Sequence, residues 1–535
     1  MRSLLIPLSA LLLSSDRAQA AIFPLQARTR SWHTRADVNA SATSNGTIPV
    51  HNTHNAEYIS NITLGGVSIP VMLDTGSSDL WVAQNIPNAK DTGKSAKLSY
   101  AVGTAAGDIY TAPLEFDGYT VPDQAFIMVT DTKSFSTDIS AQGYNGLVGL
   151  GPNSGSVIYK EIDNASGDTM LNRIFSQNKT SSNFISFLLS RLGDPTDTIP
   201  GAFTISEVVP GYENITSMPK IAVEKVHRLT NADQHWQIYT DKNGVIGPDG
   251  QPIAVDSIVP SAPDGQLVAV LDSGFTLPQV PRAMSDAIYG RVQGAVYDED
   301  SQVWTVPCDQ LLQISFKFGG VTYPVHPLDT ATSDFNYTDA TGKAMCIGAF
   351  QPITSAFSLL GEYDMILGMA FLRNAYTLLD FGDFVEDTAE DTGDPYVQLL
   401  PLTDAAQAKS DFIAARLNGV DTTGDAAHAL LPASQMKHSP ETEEEKKKAR
   451  EEEILSRWPY ILVGCLAFVA LSVGLCVWRC CCRRGKKGGK GAKGGILGGG
   501  LKGKPVYQPL SEPAPPAMNM QPMGQSAYSD PYGRR

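Results

Sequence analysis

Two stretches of this 535-residue chain share one pattern. The runs Val71-Met72-Leu73-Asp74-Thr75-Gly76-Ser77 and Val268-Ala269-Val270-Leu271-Asp272-Ser273-Gly274 each end an apolar segment on an aspartate, followed by a hydroxyl residue and a glycine. Each is followed later by two apolar residues and a glycine: Leu147-Val148-Gly149, 75 residues beyond Asp74, and Ile366-Leu367-Gly368, 96 beyond Asp272. Such repetition marks an internal duplication. An apolar strand would carry each carboxyl into a partly desolvated place, the glycine would let the backbone turn tightly there, and the hydroxyl could orient the opposite loop. If the two loops meet about a pseudo-twofold axis, their carboxylates come into contact. Like charges that close cannot both ionise, so the pair holds one proton between them. The ionised member is then a general base for a water, and the protonated member polarises a carbonyl, with no metal, cofactor or covalent intermediate required. One Asp-x-Gly alone would read as a turn; the repeated pattern is what points to chemistry.

The elements that must position these residues are short strands. From about residue 51 to 402, apolar runs are broken by Gly, Pro, Asn and Asp, as in 67–73, 184–189, 267–271 and 375–381, and no long amphipathic helix stands out. Low charge content (18%) with 48 Gly and 34 Pro favours an all-β body. The net charge is −15, yet residues 479–535 carry eleven Lys/Arg and two acids, which leaves about −24 on residues 1–478. An acidic body argues against nucleic-acid binding and suits acidic surroundings. Five of the seven cysteines lie in or beside an apolar C-terminal run; Cys308 and Cys346 remain in the body and would close a loop of about 38 residues, two free thiols being the other possibility.

The ends of the chain read as targeting segments. Residues 1–20 have a positive start at Arg2, an apolar run from Leu4 to Leu13 and a small-residue site at Ala18-Gln19-Ala20, the pattern of a secretory signal. Residues 21–50 read as a short pro-segment or flexible lead-in. Seven glycosylation sequons follow, at Asn39, Asn45, Asn61, Asn164, Asn178, Asn214 and Asn336, and none lies beyond. Residues 403–457, with a mixed-charge run at 442–453, read as a stalk or spacer. Residues 458–478 are apolar, uncharged and bounded by Trp458 and Trp478, long enough to cross ~30 Å of hydrocarbon. The basic cluster after them puts that end in the cytosol and predicts a single-pass type I membrane protein, its body extracellular or lumenal at the plasma membrane or in the endosomal/vacuolar pathway. The tail, 479–535, should be disordered, with palmitoylation candidates at Cys480, Cys481 and Cys482 and a tyrosine-based sorting signal at Tyr507-Gln508-Pro509-Leu510.

Over roughly residues 55–400 the sequence resembles the pepsin family, on the paired Asp-Thr-Gly and Asp-Ser-Gly motifs at this spacing. The resemblance implies a bilobal β fold, with a first lobe over 51–208, a second over 209–402 and a peptide-binding cleft between them. It makes Asp74 and Asp272 catalytic, with Thr75, Gly76, Ser77, Ser273 and Gly274 supporting them. Residues 98–108 look like the family's flap hairpin, which makes Tyr100 the flap tyrosine and Trp81 its hydrogen-bond partner. Residues 145–152 and 365–381 match the segments behind each catalytic loop, His235-Trp236-Gln237-Ile238 resembles the start of the second lobe, and Cys308 and Cys346 match a disulfide of that lobe. The activity implied is that of an aspartic endopeptidase working at acidic pH, a monomer whose partners are peptide or protein substrates.

Three departures stand out. Ala101 follows the flap tyrosine where the family usually has Gly, Met369 follows Ile366-Leu367-Gly368 where Asp is frequent, and Phe275 occupies a position usually held by Thr or Ser. Phe275 cannot donate a hydrogen bond, so the pair should be asymmetric unless another hydroxyl, such as that of Thr276, substitutes. Phe275 also supports a rival reading, a catalytically weak relative that only binds peptides; the intact Asp74, Asp272, Thr75, Ser77 and Tyr100 count against it. A membrane-anchored structural or cell-wall protein would explain the sequons and tail but not the paired motifs.

Overall fold

A computed structural model describes residues 48–53, 55–100, 103–135, 138–178, 182–196, 201–226, 234–299, 301–339, 341–353, 362–385 and 393–441, with Lys446, Lys447, Arg450, Phe468, Leu471 and Ser472. The expected signal, most of the lead-in, nearly all of 458–478 and the tail lie outside them. The chain divides into two compact units, residues 1–456 and 457–535. In the second, Phe468, Leu471 and Ser472 are helical. Among the described residues no helix is long and apolar enough to cross a membrane.

Strands dominate the regular structure of the first unit, with short helices between them. Its amino-terminal half forms an eight-stranded sheet in which Val67–Asp74 lies between Glu57–Leu64, antiparallel, and Gly146–Gly149, parallel. Its carboxy-terminal half repeats that arrangement: Val268–Leu271 lies between Gln237–Tyr239, antiparallel, and Met365–Leu367, parallel. Parallel neighbours are covered on both faces, which is why these strands read as continuous apolar runs rather than alternating ones; all four residues of Val268–Leu271 are buried. Two smaller sheets complete the second lobe.

A six-stranded sheet is shared by the two lobes. Ile48–Pro49, Ala202–Ile205 and Phe184–Leu188 come from one side of the sequence, and Ala375–Asp380, Tyr396–Pro401 and Ile221–Ala222 from the other. The 208/209 division falls inside this sheet. Buried ionic contacts reinforce the junction. Asp329 receives Arg373 Nε at 2.7 Å on one oxygen and Arg191 at 2.7 Å on the other, while Arg373 also donates to the Asn55 carbonyl at 3.0 Å. Burial alone would raise the Asp329 carboxyl, yet the two guanidinium groups hold it down to about 2.

Two segments differ from the sequence reading. Residues 48–50 are not lead-in: Ile48 and Val50 are buried, and Val50 N–H donates to Gly201 O at 3.0 Å. Nor are residues 403–441 a spacer. Helix Ala405–Arg416 is N-capped by Asp404 and buries Ala408, Asp411 and Phe412, with Asp411 accepting from Thr196 Oγ1 at 2.8 Å. Beyond it the chain runs along the second lobe, with Leu431 N–H on Arg291 O (2.7 Å) and Ser439 Oγ on Asp286 Oδ1 (2.7 Å). One aromatic side chain and several backbone donors find partners on the body, and neither leaves a periodic apolar pattern in the sequence.

Cys308 and Cys346 form a disulfide, a sequence separation of 38, within the second lobe. Replacing both by Ser should cost about 2–4 kcal/mol of stability, read as a lower urea midpoint. An unchanged midpoint would show that the loop is held by packing alone.

Candidate active site

The two aspartates end equivalent strands. Asp74 is the last residue of Val67–Asp74 and pairs in parallel register with Gly149, while Leu271, just before Asp272, pairs with Leu367. The segments behind the loops hold them by main-chain bonds: Leu150 N–H to Asp74 O (2.7 Å) and Gly151 N–H to Ser77 O (2.8 Å) on one side, Asp272 N–H to Leu367 O (3.1 Å) and Met369 N–H to Phe275 O (2.8 Å) on the other. A Cβ at Gly149 would stand 2.4 Å from Ser78 C, and one at Gly368 2.1 Å from Phe275 O, so both glycines are required by close approach. Met369 is fully buried at the start of helix Met369–Leu372, whose Phe371 ring meets Phe316, Phe318 and Tyr323 at 5.4–6.4 Å.

A reciprocal exchange locks the loops together. Thr75 N–H donates to Ser273 Oγ at 3.1 Å and Ser273 N–H to Thr75 Oγ1 at 2.8 Å. Each hydroxyl then donates across the interface, Thr75 Oγ1 to Leu271 O at 2.9 Å and Ser273 Oγ to Leu73 O at 2.8 Å. Both side chains are buried, so every one of these groups would be costly to leave unpaired.

The exchange brings the carboxyls together. A Cβ at Gly76 would lie 2.2 Å from Asp272 Oδ2, and one at Gly274 would lie 2.3 Å from Asp74 Oδ1. Gly76 N–H donates to Asp74 Oδ1 at 2.9 Å and Gly274 N–H to Asp272 Oδ1 at 2.7 Å. Ser77 Oγ donates to Asp74 Oδ2 at 2.5 Å. Burial pushes both carboxyls up; the charge of Asp74 opposes ionisation of Asp272, while Ser77 and Gly76 stabilise charge on Asp74. One shared proton is the natural state of this pair.

Trp81 Nε1 donates to the Tyr100 hydroxyl at 3.1 Å, and Tyr100 is also in hydrogen-bonding reach of Ser77. Burial keeps the Tyr100 phenol well above its ordinary range, so it stays a neutral donor. Strands Lys90–Tyr100 and Gly103–Phe116 form the hairpin, with Tyr100 opposite Gly103. Ala101 lies outside the described residues. The structure thus brings together Asp74, Thr75, Gly76, Ser77, Trp81, Tyr100, Asp272, Ser273 and Gly274. The Cys308–Cys346 disulfide belongs to the second-lobe framework. Of the sequons, Asn164, Asn178, Asn214 and Asn336 are exposed, Asn61 is half-buried, and Asn39 and Asn45 lie outside the described residues.

Several neighbours escaped the sequence reading. His235 places Nδ1 3.1 Å from Gly76 O; since a carbonyl only accepts, Nδ1 carries the hydrogen. Tyr144 and Tyr363 stand near the pair, the charge of Asp74 adding to the burial that raises Tyr144 and that of Asp272 to the burial that takes Tyr363 to about 12. Both precede a duplicated glycine, Gly149 and Gly368, by five residues, so the internal repeat itself was the signal. Glu57, pushed up to about 7 by burial, also acts on Tyr144 and had no motif to announce it.

Among the described residues, one trio has metal-like spacing: Asp194, His326 and Asp411. His326 Nδ1 accepts the Leu328 N–H at 3.1 Å, so the neutral ring carries its hydrogen on Nε2, which faces Asp194 and Asp411 at 3.6 and 3.7 Å as a donor rather than a ligand. Arg191 already pairs with Asp194 at 2.8 Å. The trio is a structural ionic cluster.

Known proteins resemble this chain in sequence and in fold. The family model described as eukaryotic aspartyl protease matches residues 57–386. The chain is similar to major aspartyl peptidase 1 of Cryptococcus neoformans var. grubii, 25% identical over 64% of this chain and 71% of that protein. It is similar also to an aspartic protease of Phaffia rhodozyma, 26% identical over 69% of this chain and 84% of that one. In fold it resembles the aspartic proteinase of Irpex lacteus, with a TM-score of 0.51 over 68% of this chain and 99% of that one at 18% identity.

Replacing Thr75 by Val keeps the shape but strands Ser273 N–H and Leu271 O. The expected loss is roughly 2–4 kcal/mol of stability, measured by urea unfolding, with Ser273→Ala giving a loss of similar size. A loss below about 0.5 kcal/mol in both would contradict the locking role.

Proposed function

We propose, for a chain that belongs to the eukaryotic aspartyl protease family, that Asp74 and Asp272 are the catalytic pair with which it hydrolyses peptide bonds. The chain is an aspartic endopeptidase. What carries the assignment of residues is the reciprocal Thr75–Ser273 exchange, which sets the two carboxyls against each other's glycines. In the working state one carboxyl is ionised and one protonated. The carboxylate takes a proton from a water as the water oxygen bonds to the scissile carbonyl carbon. The carbonyl oxygen meanwhile takes the proton of the other aspartate. The resulting gem-diol collapses when the first aspartate returns its proton to the amide nitrogen, the C–N bond breaks, and the second aspartate recovers its proton from the diol. Water is consumed, and both carboxyls end as they began.

Tyr100, carried on the hairpin and held by Trp81, closes over the bound peptide and excludes water from the reacting centre. The hydroxyl and glycine residues of both loops hold the pair in reacting geometry, which is where most of the rate advantage of such a preorganised site arises.

The same proposal covers the rest of the chain. Residues 1–20 direct export, the lead-in before Ile48 is a short pro-segment, the exposed sequons carry glycans, and 458–478 anchors a monomeric enzyme with its body extracytoplasmic and its tail cytosolic. The sequons upstream and the basic cluster downstream of that run support this topology.

Either Asp74→Asn or Asp272→Asn should lower kcat/KM on a mixed peptide substrate at least about a thousand-fold without unfolding the body, and the double variant should be little worse than either single one. Substantial turnover by Asp74→Asn would sink the assignment. In intact vesicles, added protease should remove a tag placed after Arg535 and spare the glycosylated body; protection of the tag with loss of the body would reverse the topology.

A further inference from the structure

The two catalytic loops are close to mirror copies in function up to one position. Each aspartate receives the N–H two residues on, at 2.9 and 2.7 Å, and each hydroxyl neighbour makes the same pair of cross-loop bonds. The next residue breaks the likeness. On the first loop Ser77 donates to the outer oxygen of Asp74. On the second, the corresponding residue is Phe275, whose side chain has nothing to donate. The adjacent hydroxyl does not substitute, because Thr276 Oγ1 donates to Ala56 O at 3.0 Å, across the junction between the lobes. Nor is the Phe275 main chain free to turn: its carbonyl accepts from Met369 N–H, and Gly368 packs against it.

We propose that Phe275 sets the division of labour in the pair, leaving Asp272 as the holder of the shared proton and Asp74 as the carboxylate that activates water. This rests on the reading of the pair as catalytic. A hydroxyl donor stabilises the ionised form of the carboxyl it meets and not the protonated one. Asp74 has such a donor, backed by Tyr100 and through it by Trp81. Asp272 has main-chain donors alone, the N–H groups of Gly274 and Phe275, and an apolar ring where Asp74 has a hydroxyl. The proton therefore rests on Asp272, and in the first step it is Asp272 that gives its proton to the carbonyl oxygen while Asp74 takes one from water.

The groups facing the pair act in the same direction or stay neutral. On the Asp74 side, a positive charge on His235 favours the ionised Asp74, and Tyr100 and Tyr144 are raised phenols that do not ionise in the working range. On the Asp272 side stand Asp74, whose charge opposes ionisation, and Tyr363, a phenol raised to about 12. Burial raises both carboxyls.

The sign of the effect on activity follows directly. The productive form has one proton, so kcat/KM falls in acid as Asp74 is protonated and falls in alkali as Asp272 loses its proton. The two titrate together, and the limbs report apparent values of the pair. A hydroxyl at position 275 would stabilise charge on Asp272 and bring the alkaline limb down. Removing the one at 77 would destabilise charge on Asp74 and move the acid limb up.

The test is the pH profile of kcat/KM for the full-length enzyme and three variants on one fluorogenic peptide. Phe275→Thr should move the alkaline limb to lower pH by about one unit and leave the acid limb in place. Phe275→Leu, apolar and without a donor, should leave both limbs where they are. Ser77→Ala should raise the acid limb by about one unit. If Phe275→Thr hydrolyses the peptide with an unmoved alkaline limb, if Phe275→Leu shifts that limb as Thr does, or if Ser77→Ala moves the alkaline limb alone, the division of labour is wrong. Because these outcomes are read on working enzyme, they are distinct from loss of hydrolysis in the aspartate variants, which tests the pair itself. Should Phe275→Thr fail to fold, the Ser77→Ala profile decides.

Discussion

Two like charges in contact are the constraint on which the rest of this molecule depends. A pair of carboxyls with each glycine of one loop against the carboxyl of the other would repel if both were ionised. The chain holds them there with four hydrogen bonds between Thr75, Ser273 and the strand carbonyls of Leu73 and Leu271, all buried. Breaking any of them would leave a buried polar group unpaired, which makes the close approach stable. The repulsion is relieved by keeping one proton, and on the proposed reading that retained proton serves the chemistry of the site.

The larger architecture serves the same contact. Parallel pairing of Asp74 with Gly149 and of Leu271 with Leu367 places each aspartate at the end of a strand covered on both faces. The six-stranded sheet and the Arg191–Asp329–Arg373 contacts join the lobes, so that two loops nearly 200 residues apart in sequence meet without a covalent link. The residue after the one that breaks the symmetry contributes as well: Thr276 Oγ1 donates to Ala56 O, on the first-lobe side of the junction, rather than to the neighbouring aspartate. The loop gains an anchor there, and its aspartate goes without a hydroxyl donor.

Much of this was legible because duplication and chemistry coincide. The motif pair and the strand character of 67–73 and 267–271 follow from residue type and spacing, and the Trp81–Tyr100 contact from the resemblance to the pepsin family. The tyrosines at 144 and 363 were equally available, since each stands five residues before a duplicated glycine, but a lone tyrosine attracts no notice until a neighbouring carboxylate gives it a role. Residues 48–50 and 403–441 were misread for a different reason. They are held by main-chain bonds and by a few side chains, such as Ile48 and Phe412, whose partners lie far away in sequence, and no local period reveals them. His235, by contrast, stands in a recognisable stretch, yet its bond to Gly76 O is a tertiary fact.

The most direct test of the shared proton is a carboxyl carbon NMR titration of the enzyme labelled at aspartate, with the two resonances assigned by the Asp74→Asn and Asp272→Asn variants. The account predicts two linked steps separated by well over one pH unit, the Asp74 signal dominating the first and the Asp272 signal the second. Between them the pair holds a single proton. Two independent titrations, both near the ordinary aspartate value of about 3.9, would contradict it.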